Sequence, residues 1–162
     1  MFPLLVVDLL HEFELGVWKA VFTHLIRVLY AVPGRGADLV IEFNRRFRKV
    51  PTFGTDTIRR ISSNASEHKK LAAQDYEDLL QTIIPVIEDL LPEPLNSMVL
   101  TILFRLAEWH ALAKLHMHTD DTLVHFDKSP VIIGRELRGF RDYTQVHYTT
   151  KELPGEVAAR AR

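Results

Sequence analysis

The chain of 162 residues contains no cysteine, and that absence alone removes thiolate catalysis, Cys-ligated zinc, iron–sulfur clusters and disulfide frameworks from its candidate chemistries. Long apolar runs are missing as well: nothing approaches the roughly 20 uncharged residues of a membrane-spanning helix. The opening MFPLLVV carries no basic residue ahead of it and meets Asp8 too soon for a secretory leader, so the chain is expected to be neither secreted nor membrane-bound. Internal repeats, low-complexity tracts and a linker long enough to divide two domains are absent. Phosphate-cradling loops are excluded too, since Gly34-Arg35-Gly36 lacks both a third glycine and a preceding strand, and no serine sits in a nucleophile elbow.

What remains is 47% hydrophobic and 25% charged, the balance of a folded domain that can bury about two thirds of its extended surface without staples. Strand alternation is scarce and apolar residues recur at helical spacing, which predicts one all-α domain over 1–162, an irregular bundle of about five or six helices. The first helix is expected over 8–31, with Asp8, Glu12, Lys19, Thr23 and Arg27 on one polar stripe so narrow that the helix must be buried on several sides. Val32-Pro33-Gly34 stops it. A second helix over 38–49 has Leu39, Val40, Phe43 and Phe47 on one face and Glu42, Arg45, Arg46 and Lys49 on the other. Residues 52–64 read as turns with a short helical piece at 57–61, and helix resumes over 66–91 around Pro85. The most apolar helix, over 96–117, is expected at the centre of the core and includes Phe104, Trp109 and Leu115. Thr119 is a predicted N-cap for a short helix to 126, and Ser129-Pro130 a start signal for another to 143. Residues 150–162 read as a frayed helical tail.

The formal charge of −1 is unevenly spread: residues 35–70 hold nine Arg/Lys against four Asp/Glu, and 75–121 hold two against nine. Arg45, Arg46, Arg48, Lys49, Arg59, Arg60, Lys69 and Lys70 make up the basic stretch, a candidate DNA-contacting surface because clustered cations bind phosphate backbones by counterion release. The ordinary alternatives are a solvated face or neutralisation by the acidic half. Arg135, Arg138 and Arg141 give a second basic stripe. Asp8 and His11 are placed to meet on a helix, but one carboxylate rarely suffices for acid–base or metal work, and the favoured account is a capping or first-turn acid beside a partly exposed surface histidine. His110, His116 and His118 near Lys114 do not converge on a continuous helix, and Asp120-Asp121 are accounted for as first-turn acids, so no metal site is expected.

Three segments in order carry a resemblance. PLLVVDLLHEFELGVWK resembles the pD-L-L-H-(Q/E)-x-x-x-G-v-x-K block of fungal KDZ and Plavaka-type DDE transposases, ASEHKKLAAQDYEDLLQTIIPVIEDLLP is similar to a second block, and LHMHTDDTLVHFD to their "hTdetL" block. The resemblance implies that Asp8 matches the second of three catalytic acids in an RNase H-like core, that residues 1–7 are a displaced strand-like stub of that core, and that the rest is its helical insertion region. Two divalent metals such as Mg²⁺ need several converging carboxylates, and one acid of three implies a fragment without cofactor or cleavage activity of its own. Residual non-specific DNA contact through 45–70, or contact with a parent transposase, follows from the resemblance, with the nucleus as the expected location. The alternative is a helical protein–protein interaction module with no DNA role.

Overall fold

Apolar side chains at helical spacing are realised as helix almost throughout the computed structural model, which describes residues 9–54, 57–67 and 71–161. A π-helical segment, Leu9–Trp18, runs into α1 (Lys19–Ala31), followed by α2 (Gly36–Lys49), α3 (Ala73–Ile87), α4 (Leu95–Ala113), α5 (Asp120–His147) and α6 (Pro154–Arg160). Among the described residues there is no strand, only an isolated antiparallel bridge between Phe53 and Ile58. No described helix is long and apolar enough to cross a membrane. The result is an all-α single-domain bundle.

The α1–α2 turn shows how sequence sets the geometry. Gly34 takes a positive φ of 72°, and Gly36 opens α2 where an added Cβ would lie 2.1 Å from the backbone oxygen of Tyr30. Any larger residue would force the two helices apart. They instead bring Phe22 against Phe43, with ring centroids 6.1 Å apart. Trp18, Phe22, Phe43, Phe47, Tyr76, Leu79 and Ile83 are almost completely buried and fill the space between α1, α2 and α3. Each is worth about 1.5–3 kcal/mol relative to exposure. The indole Nε1 of Trp18 donates to the backbone oxygen of Tyr76 at 2.7 Å, which fixes the end of the π-helical segment on α3. α5 packs antiparallel along α4, with Trp109 against Phe126 near the connection and Phe140 beside Val99 and Leu103 farther along.

Several expected boundaries move. The helical piece expected at 57–61 does not form: Phe53 and Ile58 exchange backbone hydrogen bonds of 3.2 and 3.0 Å around Gly54, and a five-residue helix would not recover its nucleation cost. Helix does not resume at 66. A 3₁₀ turn, Ala65–Glu67, comes first, and α3 starts at Ala73, where the Asp75 carboxylate accepts the Ala72 N–H at 2.7 Å. α4 stops at Ala113, leaving Leu115 and Met117 exposed, and Phe104 faces solvent rather than the core. The two helices expected on either side of Ser129-Pro130 are one, α5. Proline inside a helix costs about 3 kcal/mol, less than the continuous contact with α4 that buries Ile133 and Phe140 supplies. Residues 150–162, expected as a frayed helical tail, include the helix α6, and buried Leu153 and the Arg27–Glu156 ion pair join this segment to the rest of the bundle.

Candidate functional site

Three polar side chains from three elements meet in the interior. The π-helical segment supplies Glu14, α3 supplies Glu77 and α4 supplies His110, all three buried. Their potential ligand atoms lie within 4.8 Å of one another. His110 Nε2 donates to Glu14 Oε1 at 3.0 Å, so in the pair this nitrogen carries the proton. Glu77 Oε1 accepts from Gln81 Nε2 at 3.1 Å and from the ammonium of Lys114, which reaches in from the half-exposed end of α4. Phe13 lies nearly parallel to the His110 ring, centroids 5.3 Å apart, and also against Trp109 at 4.7 Å; Phe126 stacks on the far face of the group at 5.5 Å from Trp109. Phe13 is buried and Trp109 and Phe126 are half-buried, so these rings make one side of the site apolar and raise the cost of every uncompensated charge.

That cost is large. Removing a carboxylate from water costs several kcal/mol even after relaxation, and two are buried here. Lys114 compensates Glu77, and the imidazole N–H compensates Glu14. Chemically the arrangement offers two oxygen donors, one imidazole nitrogen and a cation at the rim. Such a set can exchange protons or hold a divalent cation, and the helix type that delivers Glu14 is one often found at functional sites.

The residues singled out from sequence are distributed differently. Asp8 and residues 1–7 lie outside the described residues, as do Lys69 and Lys70. His11 and His116 are exposed, and His118 Nδ1 is 3.3 Å from Thr122 Oγ1 rather than near His110. Thr119 caps α5, its Oγ1 accepting the Thr122 N–H at 3.2 Å, with Asp120 and Asp121 exposed in the first turn. Of the basic stretch, Arg45 and Arg46 both bind Glu42, and the pair holds the Glu42 carboxyl down at about 2. Arg46 also donates to the backbone oxygens of Val86 and Glu88 at 3.1 and 2.6 Å, at the negative end of α3. Arg48 donates to Asn64, and Arg59 to Asp75 and Asp78 at 2.7 and 2.9 Å. Lys49 and Arg60 are exposed. In the second stripe, Arg135 and Arg141 bind the neighbouring Glu136 and Asp142. A cleft of about 490 Å³ beside Arg27, Tyr30 and Lys151 is lined mainly by the chain leading into α6.

Glu14 and Glu77 escaped the sequence reading, although a signal was there. On a helix Glu14 lies opposite the polar stripe of Glu12, Lys19 and Thr23, and His110 continues the buried series Val99, Leu103 and Leu106. Polar residues on apolar faces need partners, but which partners could not be read from residues as far apart as the 96 positions between Glu14 and His110. Comparison with protein-family models, with curated proteins and with solved structures gives no match for this chain.

Proposed function

We propose that the chain works as the helical insertion region of a KDZ/Plavaka-type transposase would, as a scaffold with no strand-cleaving chemistry of its own. The observation that carries this reading is the packing of the three resembling blocks. Phe13 and Trp18 of the first block reach, respectively, the Trp109–Phe126 stack, whose Phe126 belongs to the third, and the Tyr76 carbonyl in the second. Blocks far apart in sequence thus support one another, which is what motif residues do when their task is to hold a fold. Asp8 is then one acid of a set that needs several, and the surface the scaffold offers to DNA is that of the exposed cations Lys49 and Arg60.

Two measurements test the proposal. The purified chain, incubated with duplex DNA and Mg²⁺ or Mn²⁺, is expected to leave the DNA intact; cleavage abolished by Asp8→Ala would overturn the reading. DNA affinity is expected to be weak, sequence-independent and steeply salt-sensitive, and to fall several-fold in a Lys49→Glu/Arg60→Glu double variant, which leaves every internal ion pair in place. Unchanged affinity at low salt would favour the second reading, a protein-interaction module. That reading is supported by the α4–α5 connection and the start of α5, where Leu115, Met117, Leu123 and Val124 are all exposed within ten positions of one another.

A further inference from the structure

We infer that Glu14, Glu77 and His110 form a binding site for one divalent transition-metal ion of the zinc type, clasping the π-helical segment, α3 and α4 together. The inference does not depend on the transposase reading. It rests on donor chemistry, geometry and charge. One imidazole nitrogen and two carboxylate oxygens form a borderline donor set that suits Zn²⁺, Co²⁺ or Mn²⁺ better than the hard, all-oxygen ions. Donors on one zinc ion, each about 2.0–2.2 Å from it, lie roughly 3.4 Å from one another. The three atoms here are within 4.8 Å of one another, and one pair, His110 Nε2 and Glu14 Oε1, is at 3.0 Å. Side-chain rotations of about an ångström close the difference without moving a helix.

Charge points the same way. Two ionised carboxylates carry two negative charges into the interior, and a divalent ion balances both in a single atom. Without the ion, Lys114 and the His110 N–H share that task, and both are displaceable. Lys114 sits at the end of α4 with its side chain 47% exposed, so its ammonium can withdraw to water while the carboxylates cannot. Three protein donors leave a coordination position open to water, and Lys114 marks the side from which the ion enters.

The test uses the full chain freed of metal with a chelator and titrated with Co²⁺, whose visible absorption reports its donors directly, and with Zn²⁺ followed by thermal unfolding. One equivalent of Co²⁺ is expected to give a tetrahedral or five-coordinate spectrum, and Zn²⁺ to raise the melting temperature. Glu14→Gln and Glu77→Gln, which keep shape and hydrogen bonding, should each weaken binding by at least about tenfold, comparable to losing even an outer-shell partner. Lys114→Met should act in the opposite direction, since it removes the competitor for Glu77; this exposed position also gives a readout if a buried variant fails to fold. No spectral change at one equivalent would overturn the inference. So would binding unaffected by Glu77→Gln and Lys114→Met, which would place the ion on surface histidines.

Discussion

His24 stands on α1 with its Nε2 2.9 Å from Thr144 Oγ1 and its ring edge-on to Phe140 at 5.3 Å. The single hydroxyl proton of Thr144 is directed at the carbonyls of Phe140 and Arg141, 2.9 and 3.1 Å away, so the hydroxyl oxygen accepts and His24 donates from Nε2. Burial lowers the His24 pKa below its ordinary 6.5, and the nearby Arg27 lowers it further. Below pH 6.5 the unfolded chain therefore binds a proton that the folded chain still refuses. Stability is complete above that pH, falls as pH drops toward the lowered pKa, and levels off once both states are protonated. Glu93, whose pKa is lowered by hydrogen bonds from Ser97 and Asn96, adds its own decline only below its ordinary 4.5. Urea unfolding of the chain and of His24→Gln across pH 5–7 should show a decline in the first that is reduced in the second. Parallel curves would mean that His24 titrates alike in both states.

At the scale of elements, α5 contains one feature that helps it and one that works against it. Thr119 satisfies an orphan N–H in its first turn, so Thr119→Ala is expected to cost about 1 kcal/mol. Pro130 is exposed and lies inside the same helix. Pro130→Ala restores a backbone donor and should gain up to about 3 kcal/mol, provided the helix does not need the bend; chemical denaturation measures both, and a loss on Pro130→Ala would show that α5 is fitted to α4 through its proline. This contrast also explains what could be read in the sequence. The face of α2, the turn around Gly34 and the Thr119 cap depend on neighbours within a few positions, and they stand as expected. Ser129-Pro130 has two local meanings, start or interior, and only the contact with α4 chooses between them. The same holds for the buried centre: that Glu14 and His110 sit on apolar faces was legible, whereas the helix that brings Glu77 beside them was not.

On the scale of the whole molecule, the basic and acidic segments, hidden behind a formal charge of −1 for the chain, are in contact. Arg46 binds the carbonyl end of α3, and Arg59 reaches from the connection before α3 to Asp75 and Asp78 near its beginning. Arg59 is 42% exposed, but the Asp78 side chain it binds is 3% exposed, and the other Asp78 oxygen, Oδ1, is buried without a hydrogen-bond partner among the described residues. Losing one member of a fully buried pair costs about 3–5 kcal/mol; solvent screening at Arg59 brings the expected cost of Arg59→Met to about 1–3 kcal/mol. Most of that cost is a carboxylate left in the interior with no cation. Adding Asp78→Asn should therefore recover part of it, and the recovery, measured by denaturant unfolding of the two single variants and the double, isolates the coupling from the loss of packing. If Arg59→Met leaves stability unchanged, the internal match of charges is not what fastens this connection to α3. Arg59 would then be as available to an external polyanion as Lys49 and Arg60, and the DNA-contacting surface would widen accordingly.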